Sequence, residues 1–404
     1  MKHIFVILTL CIIGCSSSIK KVSSNQLLLI SFDGFRADYL SKTDTPNFDK
    51  IVEKGVVSEG LIPIFPTKTF PNHYAIATGL YPENNGLVGN NMYDPEMDAK
   101  YSLGDREAVE NPDWYLGEPI WNTVEKAGKK AGTMFWVGSE APIQGMRPTH
   151  WKRYDGSVPH QARIDSVLKW MTNSTNPIDL GTLYFSFTDT QGHRFGPDSP
   201  EVATAIQQAD SLVGYLMQQL QKLDSDNSIN LLIVSDHGMV ELSPKKRVVL
   251  DEYISTEYIN IISGSPAVMF NVEDGKEEEI YKKLKDNEEH YVIYKKHDIP
   301  ERFHLKNNIR VPEFLMIADD GYTINTKNFF DKRGLDYPQG GTHGFDNSNI
   351  KMDALFLAHG RVFKEGLKIE RVQNVHLYEL MANILRVQPA KNDGDFSKIK
   401  EILK

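Results

Sequence analysis

The chain has 404 residues, 40% of them apolar and 25% charged, with a formal charge of −9. That length is enough for one large core and a smaller second unit, and the composition is that of a folded enzyme rather than a disordered chain. An acidic balance without a long basic block excludes binding along a nucleic-acid duplex, while nucleotides remain open as small substrates.

The first element in order is a leader. Lys2 precedes an apolar run from Ile4 to Ile13 that is too short to span a bilayer and ends in Ile12-Ile13-Gly14-Cys15 and a run of serines. Residues 1–14 have the shape of a secretory signal peptide, and the last four residues of the run resemble the lipobox of bacterial lipoproteins. That resemblance implies a lipidated Cys15, a polar tether over 15–25, and a membrane-anchored protein of the periplasm or cell surface. The two cysteines are Cys11 and Cys15. The body after them has neither a disulfide nor a thiolate ligand, so any metal there must be held by imidazole, carboxylate or hydroxyl groups.

Leu27-Leu28-Leu29-Ile30-Ser31-Phe32-Asp33 reads as a buried strand that stops on an acid. Thr45-Pro46 opens a helix with Phe48, Ile51 and Val52 inside, and Gly55 closes it. A loop over 63–69 feeds a helix that starts near Pro71 and ends at Gly79, placing Thr69 at its positive end, where an anion is favoured. A helix is predicted over 120–127 and a strand over 133–137. The segment with Arg147, Trp151, Tyr154 and His160 shows no regular pattern.

A second acid-ended strand is Leu183-Tyr184-Phe185-Ser186-Phe187-Thr188-Asp189. The glycine and proline in Asp189-Thr-Gln-Gly-His193-Arg-Phe-Gly-Pro197 predict a loop that folds Asp189 and His193 towards one ion. Ser199-Pro200 caps a long amphipathic helix with Val202, Ile206, Val213, Leu216 and Leu220 on one stripe. The third acid-ended strand, Leu231-Leu232-Ile233-Val234, closes on Ser235-Asp236-His237-Gly238. This βαβ rhythm predicts an α/β fold with a largely parallel sheet covered on both faces. Over 251–336 charge density rises, and strands at 267–272, 291–294 and 314–318 with a helix at 276–284 predict a small inserted α+β subdomain. The catalytic α/β domain is then 26–250 together with 337–404, where the sheet resumes at 352–358 and a helix over 375–385 closes the chain.

Three strands that end in carboxylates can converge on one rim, which is where open α/β sheets bind ligands. Carboxylates so crowded repel one another unless cations lie between them. Asp189, His193 and His343, the last in a glycine-rich loop, form a hydrolytic zinc set with an open position, and Asp33, Asp236 and His237 form a second. Two ions roughly 3.5 to 4 Å apart suit the in-line displacement of a phosphoryl group.

The stretches Ser31-Phe-Asp33-Gly-Phe-Arg36, Pro66-Thr-Lys-Thr69-Phe-Pro-Asn-His73, Asn90-Asn-Met-Tyr93-Asp94, Tyr154-Asp-Gly-Ser-Val158, 189–193, Ser235-Asp236-His237-Gly238 and Gly341-Thr-His343-Gly344 carry a wider likeness. From residue 26 to the end, the chain resembles the nucleotide pyrophosphatase/phosphodiesterase family of the alkaline phosphatase superfamily. The resemblance implies a three-layer sandwich and two Zn2+ ions, one on Asp189, His193 and His343 and the other on Asp33, Asp236 and His237. It further implies Thr69 as the nucleophile bound to the second zinc. Asn90 and the backbone N–H of Phe70 would take a phosphate oxygen, and Phe70 and Tyr154 would sandwich the base.

The implied reaction is hydrolysis of nucleotide phosphodiester or pyrophosphate bonds through a covalent threonine intermediate, with release of nucleoside monophosphates. The alternatives are an alkaline phosphomonoesterase on the same fold and a phospholipid-headgroup or glycerophosphodiester phosphodiesterase. A neutral Asn90, where a monoester would need extra positive charge, favours diesters. His73, His359 and His376 read as structural.

Overall fold

The computed structural model describes residues 25–224 and 227–404; the leader and Cys15 lie outside the described residues. Among the described residues no helix is long and apolar enough to cross a membrane. The principal elements of the first half are β1 (Gln26–Phe32), α1 (Pro46–Glu53), β2 (Val56–Ser58), α2 (Thr69–Thr78), β3 (Ala131–Met134), β4 (His150–Lys152) and α3 (His160–Met171). They are followed by β5 (Leu180–Phe185), α4 (Phe187–Phe195), α5 (Pro200–Leu223) and β6 (Ile229–Val234). The second half adds β7 (Ile259–Ser263), β8 (Ala267–Val272), α6 (Glu277–Lys285), β9 (Tyr291–Lys295), β10 (Phe314–Ala318), β11 (Phe356–His359), β12 (Leu367–Ile369) and α7 (His376–Leu385).

Eight strands form the main sheet in the order β12-β2-β11-β6-β1-β5-β3-β4. β1 runs parallel to β5 and β6, and β3 parallel to β4 and β5, while β11 is antiparallel to both of its neighbours. The central strands are uncharged because both of their faces are covered. Leu27 and Leu29 of β1 pack into the layer that holds α2 and α7, whereas Leu28, Ile30 and Phe32 pack into the layer that holds α1, α3 and α5. The three layers are therefore set by simple alternation along one strand. Helix starts are satisfied locally: Asp210 on α5 accepts from the amides of Asn47 and Phe48 at the start of α1, each at 2.8 Å.

A second, antiparallel sheet in the order β7-β8-β10-β9 carries α6 and has its own core, with Val268, Phe270, Ile280, Ile293 and Met316 among its members. The buried Arg310 joins it to the main body. Its Nε donates to Asp94 Oδ2 at 2.6 Å, and its remaining nitrogens donate to the carbonyls of Gly86, Trp114 and Asp113. Arg310→Met removes that cation and leaves the Asp94 carboxylate buried without its partner, so a loss of about 3 to 5 kcal/mol is expected. Thermal and urea denaturation check this, and a loss under about 1 kcal/mol would contradict it.

Three sequence expectations need correction. The strand predicted at 133–137 stops at Met134 because Phe135 turns the chain through the left-handed region, at φ 69. The strand predicted at 352–358 forms only over Phe356–His359, since Ile350–Met352 is a short 3-10 turn and Ala354 makes only isolated bridges, to Arg36 and Leu61. The unpatterned segment around Tyr154 in fact holds β4 and α3. The buried positions of α3, Ile164, Val167, Leu168 and Met171, follow helical spacing that was available in the sequence.

Candidate active site

Asp33 lies immediately beyond β1, and Asp236 and His237 lie one residue beyond β6, at the carboxyl ends of adjacent strands. Asp189 and His193 come from α4, which follows β5 on the other side of β1. The predicted loop is thus a helix, and the two residues meet because they are one turn apart on one face, with His193 Nε2 3.3 Å from Asp189 Oδ1. Gly192 does not break this helix. A Cβ there would sit 2.8 Å from the Met239 side chain, so packing explains the glycine. His343 follows a two-residue strand, Gly341–Thr342, and its ring stacks on that of His237 at 3.5 Å with an interplanar angle of 10°.

Thr69 is the first residue of α2, with Oγ1 3.3 Å from His237 Nε2. A cavity of ≈290 Å³ opens above these groups, lined by Asp33, Thr69, Phe70, Asn90, Tyr154, Tyr184, Asp189, His193 and His343, among others. Asp236 and His237 are fully buried behind it. Phe70 and Tyr154 both reach the cavity, Tyr154 being 42% exposed. The Phe70 amide, expected to meet a phosphate oxygen, donates to Asn90 Oδ1 at 3.0 Å, so the two groups assigned to phosphate are already side by side.

The donor set fits divalent metal. His193, His237 and His343 each engage a backbone carbonyl through Nδ1, those of Gly341, Gly238 and Thr67, at 2.9, 2.9 and 2.8 Å. A carbonyl can only accept, so Nδ1 carries the proton and each Nε2 presents a lone pair inward. Facing them, Asp33 Oδ1, Asp189 Oδ1 and Asp236 Oδ2 are buried without a hydrogen-bond partner among the described residues. His237 Nε2 lies 3.0 Å from Asp236 Oδ2 and 3.4 Å from Asp33 Oδ1. Acceptors facing acceptors at such distances, out of water, require a cation between them.

His73 does not join this set, although it lies 3.3 Å from Asp236 Oδ2. Its Nδ1 meets the Thr69 carbonyl at 3.0 Å and its Nε2 meets the Ser31 hydroxyl at 2.8 Å, which uses both ring nitrogens. The structural reading of His73 therefore stands, with the addition that it supports the nucleophile's helix.

Comparison with known proteins decides the family. The family model for Type I phosphodiesterase / nucleotide pyrophosphatase matches residues 27–346. The chain belongs to this family. It is 37% identical over 378 residues to ectonucleotide pyrophosphatase/phosphodiesterase family member 5 of Homo sapiens, covering 94% of this chain and 78% of that protein. It is 38% identical over 391 residues to a venom phosphodiesterase of Naja atra, covering 94% of this chain but only 46% of that one. The solved murine family member 5 superposes with a TM-score of 0.89 at 35% identity, over 94% of this chain and 100% of that one. An inactive threonine-to-alanine form of the murine protein in complex with AMP matches with the same score, identity and coverage.

In this phosphodiesterase the charge balance of the metal-free site follows from geometry. Burial, with the neighbouring charges of Asp236 and Asp189, pushes the Asp33 carboxyl well above its usual range, and burial likewise raises Asp189. Burial would also raise Asp236, but the imidazoles of His237 and His73 outweigh it and hold that carboxyl well below the usual range. His237 is raised because Asp236 outweighs the opposing effect of its burial, and His343 is driven well down by burial and by the neighbouring imidazoles.

Tyr184 is the residue that sequence reasoning passed over. It occupies one position of a buried strand and reads as core, yet it lines the cavity and donates to Asp33 Oδ2 at 2.5 Å. The signal was a phenol two residues from the end of an acid-directed strand, where a buried hydroxyl needs an acceptor.

Proposed function

We propose that this chain is a two-zinc phosphodiesterase and nucleotide pyrophosphatase that works through a covalent threonine intermediate and releases nucleoside monophosphates. The observation that carries the reading is the convergence of three unpartnered carboxylate oxygens and three imidazole lone pairs beside the hydroxyl of Thr69. Asp189, His193 and His343 would hold one ion, and Asp33, Asp236 and His237 the other, with Thr69 next to it. When bound, zinc supplies positive charge that lowers the pKa of the threonine hydroxyl and of the attacking water.

The remaining work falls to this chain's own groups. Phe70 and Tyr154 receive the base between aromatic faces, which tolerates any base because each has a π-face. The Phe70 N–H and the Asn90 carboxamide orient a phosphate oxygen. Thr69 Oγ gives up its proton, attacks phosphorus in line and expels the group on the far side, leaving a nucleotidyl-threonine. Water then attacks that phosphorus from the vacated side, restores the threonine hydroxyl and frees the monophosphate, with two inversions giving net retention. The N-terminus of α2 adds positive potential at the site of attack. The AMP complex of the 35%-identical murine relative supports a nucleotide as the substrate class.

Diesters are favoured over monoesters because Arg106 is the one guanidinium lining the cavity and it is ion-paired with Glu140 and with Glu110. No uncommitted cation among the lining residues awaits the second charge of a terminal phosphate. The zinc-loaded protein is expected to hydrolyse p-nitrophenyl thymidine monophosphate in clear preference to p-nitrophenyl phosphate. Preference for the monoester would sink the reading, and turnover of glycerophosphodiesters alone would replace the nucleotide with a lipid-derived substrate.

A further inference from the structure

The two oxygens of Asp33 are held differently from those of its neighbour. Asp236 Oδ1 accepts from the Gly34 amide at 3.1 Å and the Ser235 hydroxyl at 3.2 Å, so the backbone itself fixes that carboxylate. Asp33 Oδ2 instead accepts one hydrogen bond, from the Tyr184 phenol at 2.5 Å, while Oδ1 is left without a partner and turned towards His237. A carboxylate pinned at one oxygen can present the other in only one direction.

The phenol is itself rigidly mounted. Tyr184 lies opposite Ser31 in the parallel β1–β5 register, two residues before Asp33. Its carbonyl accepts from the buried Arg163 at 3.2 Å. Its ring meets His73 edge-on at 5.2 Å and Tyr154 at 6.2 Å with an interplanar angle of 63°. One side chain thus touches the metal set through its hydroxyl and the proposed base wall through its ring.

The geometry points to Tyr184 as a positioning residue that aims the free oxygen of Asp33 at the zinc site through its hydroxyl and backs the Tyr154 wall through its ring. This rests on the reading of the site as a zinc centre. Partners of this kind around ligating groups set metal affinity, and their loss typically weakens it by 10- to 100-fold. Tyr184→Phe separates the two roles, because it deletes the hydroxyl and keeps the ring.

The test is zinc affinity of the metal-stripped full chain, measured by competition with a chromophoric chelator and independent of turnover. Tyr184→Phe is expected to bind zinc roughly 10- to 100-fold more weakly. At saturating zinc its KM for the diester should stay within about twofold of wild type while kcat falls, since misaimed Asp33 affects the reacting centre and not the wall. Tyr154→Ala should do the reverse, raising KM without moving zinc affinity.

A double-mutant cycle with Asp33→Asn identifies the route. If Tyr184 acts through Asp33, the double variant binds zinc no more weakly than Asp33→Asn alone. Additive losses, or a folded Tyr184→Phe with zinc affinity within about twofold of wild type, overturn the proposal. A wild-type chain that binds no zinc would instead overturn the zinc reading itself, and the cycle would not be reached.

Discussion

Thr69→Ala is expected to lower kcat on p-nitrophenyl thymidine monophosphate by roughly 10⁴- to 10⁶-fold at saturating zinc, the range seen when an enzyme loses its nucleophile. The fold should be indifferent to the change. Thr69 is the first residue of α2 and the helix start has no side-chain cap, so the substitution removes no capping bond and stability should move by less than about 1 kcal/mol. Only the 3.3 Å contact of Oγ1 with His237 is lost within the protein. AMP binding should survive, because the base walls, Asn90 and the Phe70 N–H are untouched. Thr69→Ser keeps a hydroxyl at the same place and should recover most of the rate. Calorimetric titration with AMP and steady-state kinetics check the two halves, and an alanine variant within tenfold of wild type would remove Thr69 from the reaction.

The ease of that prediction reflects what a linear sequence displays. The strands that end in Asp33 and in Asp236-His237 were legible because an uncharged run cannot leave a carboxylate in its own core, and both side chains do sit just beyond β1 and β6. The spacing of Asp189 and His193 was read correctly as a shared site but with the wrong local structure. The glycine between them looked like a breaker, whereas its lack of a side chain answers to the nearby Met239, a contact that only the tertiary structure reveals. The break after Met134 has the same origin: no local signal tells that an aromatic residue such as Phe135 will take a left-handed backbone. Tyr184 was illegible for another reason. A buried tyrosine in a strand satisfies its hydroxyl somewhere, and only the β1–β5 register shows that the acceptor is Asp33.

Zinc should stabilise the metal-stripped protein, and the gain should grow as pH rises from about 5 to about 7.5. The sign follows from the protons that the metal must displace. Asp33 and Asp189 have raised pKa values in the folded, metal-free protein. Their contribution to stability is therefore full below the ordinary carboxylate range and is lost as pH rises through their folded values. His237 is raised and loses its contribution in the same direction. Asp236, which is depressed, contributes above the ordinary carboxylate range and loses that only as pH falls through its lowered value; His343, also depressed, disfavours the fold only when acid protonates the unfolded chain below about 6.5.

Rising pH thus weakens the metal-free fold at Asp33, Asp189 and His237 while clearing protons from the groups that zinc needs, so affinity climbs by up to tenfold per pH unit for each proton displaced. At free zinc about 1,000-fold above Kd the stabilisation reaches about 4 kcal/mol. Thermal melts of chelator-treated protein in zinc buffers at fixed free zinc measure it. A shift that is absent, or equal at both ends of the pH range, would mean that these buried acids and imidazoles do not converge on a metal.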